Sequence, residues 1–357
     1  MSTLRGYFAR EIYRASAFAM IAFLALFAFF DMVNELDELG TGGYRLRHAI
    51  EFVALSMPGH VYELFPVAVL IGTLVALSTM AANSEYTVMR VSGLSPRGAA
   101  GMLARVGSAF VILTVIVGEF AAPAAERAAK EMRMAQLGST VSSGLATGVW
   151  LKSDARFVNI RDVLPDSTLR GVRIYEFDSE LRLVSLSAAD HGDYQGNNVW
   201  RLYDVTRTQF KGDSASVSTQ PQQDWKSVLT PDILAALLVR PEKMSAWNLY
   251  QYIRLLSENQ QRTNRQEIAL WQKAVYPFAT LIMMALALPF AYIHVRTGGI
   301  GIKLFAGVML GVLFHFLNHV GTTLGILQTW TPFVSASLPS LLFLVAAIAM
   351  MWWVERR

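Results

Sequence analysis

Residues Asn83–Gly93 (NSEYTVMRVSG) gather capping, charged and apolar side chains at helical spacing. Asn83 or Ser84 can cap a helix, Glu85 suits its positive N-terminus, and Gly93 is a natural stop. Tyr86, Met89 and Arg90 then share one face. Two readings stand side by side. One is a solvated elbow helix; the other is a docking helix in which Glu85 and Arg90 make charge-assisted contacts with a partner.

A second set is acidic. Asp31, Glu35 and Glu38 lie at i, i+4 and i+7, on one helix face at the end of a long apolar run. Charges at membrane depth are functional hypotheses, and interfacial water is the plain alternative. Glu119 closes another apolar run in the same way. Beyond it, Arg127, Lys130 and Arg133 recur every third residue. That basic stripe suits solvent, or an anionic ligand at a membrane surface. Arg127, Lys130, Arg133, Asp31 and Glu35 are the candidate substrate-binding residues.

Other chemistries find less support. His315 and His319 share a helix face, but no carboxylate lies nearby in sequence as a third metal ligand, so helix packing is the expectation. The GxxxxGK[ST] pattern is absent, and Gly298–Lys303 (GGIGIK) lacks its spacing. A P-loop is excluded, so any ATP-driven work must be done on another subunit. The chain has no cysteine, which excludes a disulfide framework, a thiol nucleophile and cysteine-ligated metals. No catalytic residue, no metal and no bound cofactor are expected.

These residues must be positioned by membrane helices. The chain has 357 residues, 53% hydrophobic and only 16% charged, where a soluble domain has about 25% charged. Runs without charge, or nearly so, cover residues 15–30, 64–84, 106–125 and 274–293. Leu304–Val354 holds no Asp, Glu, Lys or Arg, enough for two spans with a turn at Gly321, Gly325 and Pro332. Six spans result, three on each side of a polar middle. The first is too long for a signal peptide and lacks a small-residue cleavage site.

Loop charge gives the orientation. The N-terminus, the 83–105 and 294–303 turns and the C-terminus carry Arg5, Arg10, Arg14, Arg90, Arg97, Arg105, Arg296, Lys303, Arg356 and Arg357. Against these ten cations stand Glu11, Glu85 and Glu355. Both termini are expected in the cytoplasm and residues 127–262 on the far side.

The middle changes period. Arg156–Ile160, Gly171–Phe177, Leu181–Leu186 and Val199–Val205 are rich in β-branched and aromatic residues. Breaks are expected at Pro165–Asp166, Asp178–Ser179, His191–Asp193 and Gly196–Asn198. Trp200 and Leu202 are two apart and point to one face. An all-β sandwich or jelly roll is predicted. Helical period returns at 244–260 through Leu249, Ile253 and Leu256. The expected division is 1–135 (spans one to three, with the short helix near 84–93), 136–262 (β domain and return helix) and 263–357 (spans four to six).

With these residues in view, the chain resembles the lipopolysaccharide-export permease family, LptF and LptG. The resemblance covers essentially the whole chain and rests on Asn83–Gly93, Gly118–Glu126 (GEFAAPAAE) and Gly148-Val149-Trp150. Gly118–Pro123 and Leu36–Tyr44 (LDELGTGGY) look closer to the LptG branch. The resemblance implies a multi-pass inner-membrane subunit that is not itself an enzyme. It implies a heterodimer with an LptF-type permease, two cytoplasmic LptB-type ATPase subunits that use ATP, and a periplasmic β-jellyroll passing lipopolysaccharide to LptC and LptA. Nucleic acid is not among the partners. Glu85, Tyr86, Met89 and Arg90 then match the ATPase-coupling helix, and Lys130 and Arg133 match basic positions near the lipid cavity. This chain departs from relatives that carry Lys at the outer end of span one, where it has Asp31, Asp37 and Glu38.

Two rival classes make different demands. A gradient-driven lipid or amphiphile transporter needs acids near the bilayer midplane and broken helices there, whereas the acids here cluster at span ends. A membrane-anchored receptor needs one or two spans and no docking helix.

Overall fold

The computed structural model describes residues 2–93, 96–137, 148–153, 156–164, 168–178, 180, 182–212, 214–227, 231, 240–258, 261–292, 300–328 and 330–356. The helices are α1 (Ser2–Leu36), α2 (Leu46–Ala82), α3 (Glu85–Val91), α4 (Pro96–Ile116), α5 (Ala122–Leu137), α6 (Ala246–Glu258), α7 (Asn264–Tyr292), α8 (Ile300–Leu327) and α9 (Pro332–Glu355). A π-helical turn, Val117–Ala121, joins α4 to α5 without a break. Six described segments are long and apolar enough to cross a membrane: Gly6–Leu36, Leu46–Ala82, Gly98–Leu137, Asn264–Phe290, Gly301–Leu327 and Pro332–Val354.

The second span, α2, is the hub of the bundle, packing against α1, α5, α7 and α8. It is apolar all round at Leu64–Leu74, and a helix of that kind belongs in an interior. Pro58 and Pro66 lie within α2, and Pro277 and Pro289 within α7. Neighbouring helices can satisfy the backbone groups such prolines free. One cluster, including Phe8, Ile12, Leu77, Met89, Ala99 and Leu103, joins the α3 ends of α1, α2 and α4. Another, including Leu70, Met283, Phe314 and Phe343, joins α2 to α7, α8 and α9.

The predicted turn at Gly321 and Gly325 is not there. Both lie inside α8, which runs to Leu327, and the chain reverses just before Pro332. A Cβ on Gly325 would overlap the Ser335 side chain, and one on Gly321 would press on Pro339. These glycines let α8 and α9 approach closely, as small residues do between membrane helices.

Between α5 and α6 lies a single antiparallel sheet of β1 (Val149–Ser153), β2 (Arg156–Val163), β3 (Leu169–Phe177), β4 (Leu183–Gly196), β5 (Val199–Lys211) and β6 (Ser214–Lys226). The strand order is consecutive, β1 to β6, so the β domain is a meander. One face carries its core, including Ile160, Leu169, Val172, Trp200, Leu202 and Trp225. Trp200 and Leu202 are both buried there, as their two-residue spacing demands. The β4–β5 hairpin turns at Asn197 and Asn198, both at positive φ, a conformation asparagine tolerates. The predicted break at His191–Asp193 falls inside β4 instead. Gly192 pairs with Leu202, and a Cβ there would meet the Leu202 side chain. The predicted break at Pro165–Asp166 lies outside the described residues.

Candidate functional site: the elbow helix and the collar at the sheet end

The elbow helix α3 is built from its neighbours inward. Ser84 turns the chain out of α2 at φ +62, and Gly93 ends the segment at φ +98. Glu85 does not stand free. It accepts from the Tyr7 hydroxyl at 2.9 Å and from Asn83 Nδ2 at 3.3 Å, tying α3 to α1. By its spacing Met89 falls on the same face as Tyr86 and Arg90, a candidate docking face, and the structure corrects this. It is 5% exposed and packs with Phe8 and Ile12, because that face of α3 meets the apolar ends of α1 and α4. Val88 and Val91 point outward instead, 63% and 85% exposed. The side chains of Tyr86 and Arg90 lie outside the described residues.

The opposite end of the bundle carries a collar of charge. Arg133 Nη2 lies 2.9 Å from Glu38, and its Nε lies 3.6 Å from Glu35. The guanidinium also sits 5.3 Å from the Phe52 ring centroid. Glu35 is 4% exposed and accepts a 2.7 Å hydrogen bond from the Tyr44 hydroxyl. Burial, and then that bond, pushes the Tyr44 hydroxyl above the ordinary tyrosine range. The loop from α1 to α2 also grips α5 through its backbone, with Gly43 N–H donating to the Gln136 carbonyl at 2.8 Å. Gly42 lies at φ +58, where a Cβ would come 2.9 Å from the same carbonyl oxygen. The glycines of LDELGTGGY are thus a clamp on the end of α5.

Lower in the collar, Glu126 binds Lys130 at 3.4 Å and Lys243 at 3.1 Å. Glu242 binds Arg265 at 3.1 Å. Glu119, in the π turn, accepts from the backbone nitrogens of Ala246 and Trp247 at 2.8 and 3.2 Å. Lys273 Nζ donates to the Gly118 carbonyl at 2.8 Å. Asp31 meets His60 Nε2 at 2.6 Å, joining α1 to α2.

Of the predicted binding residues, the structure therefore brings Glu35 and Arg133 together and sends Asp31 to His60. Lys130 turns to Glu126. Arg127 remains exposed, with Nε 3.4 Å from the Pro123 carbonyl. Tyr62, Gly118 and Lys273 lie roughly 30 Å along their helices from Ala82, Pro96 and Tyr292. Lys130 and Arg133 stand about 18 and 22 Å farther along α5 than Gly118. Among the described residues, no three His, Asp or Glu side chains are placed to hold a metal ion.

Sequence reasoning missed Tyr44, His60, Lys243 and Lys273. Lys273 carries a signal, as a lone cation at the edge of the uncharged run that begins at residue 274.

Comparison with known proteins settles the class of this arrangement. The family described as lipopolysaccharide export system permease LptF/LptG matches residues 6–353. The lipopolysaccharide export system permease protein LptG of Haemophilus influenzae is 30% identical over 358 aligned residues, covering 100% of this chain and 99% of that protein. Its namesake from Escherichia coli K12 is 28% identical, covering 99% of this chain and 98% of that one. Six spans, a β domain inserted between the third and fourth, and full-length similarity agree: the chain belongs to the LptF/LptG family of lipopolysaccharide export permeases, multi-pass proteins of the inner membrane.

Proposed function

We propose that this chain is an LptG-type subunit that passes lipopolysaccharide from the outer leaflet of the inner membrane into its own β domain. The energy comes from ATP hydrolysed by a separate LptB-type subunit in the cytoplasm. An LptF-type chain is its membrane partner, and LptC and LptA receive the lipid beyond the sheet. Both termini and α3 face the cytoplasm, in keeping with the ten-to-three excess of cations over acids on that set of loops.

The observation that carries this reading is the pair of exposed valines on α3. Val88 and Val91 are one helical turn apart, lie outside the spans, and rest on a helix fixed to α1 through Tyr7–Glu85. Apolar side chains held out on a rigid polar elbow suit a partner's groove. Motion imposed there would reach α1 and α4 through the cluster around Met89. From α4 it would pass along one continuous rod to the collar. The lipid cavity must then bind its substrate less well in the closed state than in the open one.

Purification of the chain from its native membrane tests the reading. An ATPase should copurify and should be lost when Val88 and Val91 are both changed to Asp, with the chain still inserted. Equal ATPase recovery from parent and double variant would rule out α3 as the docking element.

A further inference from the structure

Lys273 is a cation within a membrane-spanning helix, and no described carboxylate lies within 4.0 Å of it. Its ammonium donates to the Gly118 carbonyl and faces the Tyr62 ring, 5.5 Å from the centroid. An ammonium has three N–H donors, so those contacts leave donor capacity unused. The acids nearby are engaged elsewhere or face solvent. Glu119 is held by two amides of α6, Glu126 by Lys130 and Lys243, and Glu242 by Arg265, while Glu63 is exposed.

The same lysine lines a groove of about 440 Å³ between α4 and α7. Most of the rest is apolar, with Val111, Val115, Leu270, Trp271, Pro277 and Phe278 in its wall, and Glu119 enters the lining with its carboxylate held by the α6 amides. Val115, Trp271 and Phe278 are exposed along it. Lys273 stands roughly 28 Å along α7 from Tyr292, close to the thickness of a hydrocarbon core. A cation at that height meets lipid phosphates, while the wall below it meets acyl chains.

We propose that this groove holds one glycerophospholipid of the surrounding bilayer, its phosphate on Lys273 and an acyl chain along Val111, Val115 and Phe278. Charge selects this occupant over a neighbouring helix, which would bury the Lys273 ammonium with Glu119 as the one described carboxylate in the groove, and that carboxylate is spent on the amides of α6. Size selects it over lipopolysaccharide, because the groove has the volume of a single small-ligand site and seats one acyl chain: a glycerophospholipid then leaves one chain in the bilayer, whereas lipopolysaccharide would leave most of its chains unseated. The proposal concerns a resident lipid and stands apart from the transport cycle.

The test is lipid retention, read without ATP so that it does not depend on the export reading. The chain, purified with whatever subunits accompany it, is delipidated in mild detergent and analysed by native mass spectrometry and lipid extraction. The parent should keep one glycerophospholipid per chain. Lys273→Gln should cut its occupancy by about tenfold, the scale of one charge-assisted bond, and Lys273→Arg should keep it. Val111→Trp should fill the groove and lose the lipid with Lys273 intact, provided the thermal transition is unchanged. Equal retention in the parent, Lys273→Gln and Val111→Trp overturns the proposal. So does finding that lipopolysaccharide is the species released by Lys273→Gln.

Discussion

The carboxylate of Glu119 caps a helix that begins 127 residues later, accepting from the backbone nitrogens of Ala246 at 2.8 Å and Trp247 at 3.2 Å. Ser245 also serves this helix, taking the N–H of Asn248 at 3.2 Å. The first N–H groups of any helix lack internal partners, and a carboxylate there is favoured by the helix dipole. Here the cap comes from the third span, so the helix returning from the sheet is pinned to the membrane domain at its first turn. The Glu126–Lys243 pair, seven residues along, makes a second pin.

Removing the first pin should be measurable. Glu119→Ala should destabilise the start of α6 by about 1 kcal/mol, the usual cost of a lost cap. Hydrogen exchange at Ala246 and Trp247 should quicken, and lipid export should fall while ATP hydrolysis persists. Unchanged exchange at both amides would show that Ser245 caps the helix alone.

The elbow helix separates two kinds of variant. Met89→Ala opens a hole in the cluster with Phe8 and Ile12 and should cost about 2–5 kcal/mol of stability. Val88→Asp with Val91→Asp leaves that cluster intact and should lose the ATPase without lowering the thermal transition. Glu85→Ala should release Tyr7 and uncouple export with the ATPase still bound. Identical melting temperatures for Met89→Ala and the parent would place Met89 on the surface after all.

Orientation can be read with reporters. One fused after Arg357 should report the cytoplasm, and one inserted at Asn197, the tip of the β4–β5 hairpin, should report the far side. A cytoplasmic signal from Asn197 would reverse the assignment made from the loop cations.

The basic stripe has a structural job that must be subtracted from any role in lipid contact. Arg133→Gln breaks the contacts to Glu35 and Glu38, and Gly42→Ala strains the same clamp through its positive φ, by roughly 1 kcal/mol before the clash with Gln136 is counted. If Arg133 acts only by holding the loop, the two variants should impair export equally. If it also touches an anionic headgroup, Arg133→Gln should be the more severe, and added salt should weaken lipid binding in the parent more than in Arg133→Gln.

Alkaline pH tests the Tyr44–Glu35 bond. The hydroxyl holds its proton more tightly in the fold than tyrosine's ordinary value of 10.0. A group with a raised folded value contributes its stability in full below the unfolded value and loses it as pH rises through the folded one. Stability should therefore fall above pH 10 by more in the parent than in Tyr44→Phe. Parallel pH curves for the two proteins would remove Tyr44 from the account.

The sequence made the spans legible because uncharged runs of that length have few other solutions. It hid their ends. The polar start of α2 (residues 46–63) and the polar end of α5 continue as helix well past the apolar runs, where tertiary partners such as Arg133 and Glu38 replace the bilayer. Strands with β-branched and aromatic alternation were readable. The edge strand β6 was not, since SASVSTQPQQDWK is almost wholly exposed and has little apolar pattern to read. The collar residues were visible as charges. Their partners were not, because pairs such as Arg133–Glu38 and Lys243–Glu126 join residues 95 and 117 positions apart.

The π turn at Val117–Ala121 is also a phase shifter. It admits about one residue more than the α-helical count would, and each residue carries about 100° of rotation. Everything beyond it on the third span is turned by that amount relative to the apolar face below. Glu126 meets Lys243, and Arg133 meets Glu38, only in the rotated setting. Deleting one residue from the turn would leave every side chain in its sequence order, and the outer rod would then present the wrong meridian to the loop, the sheet's return helix and any lipid alike.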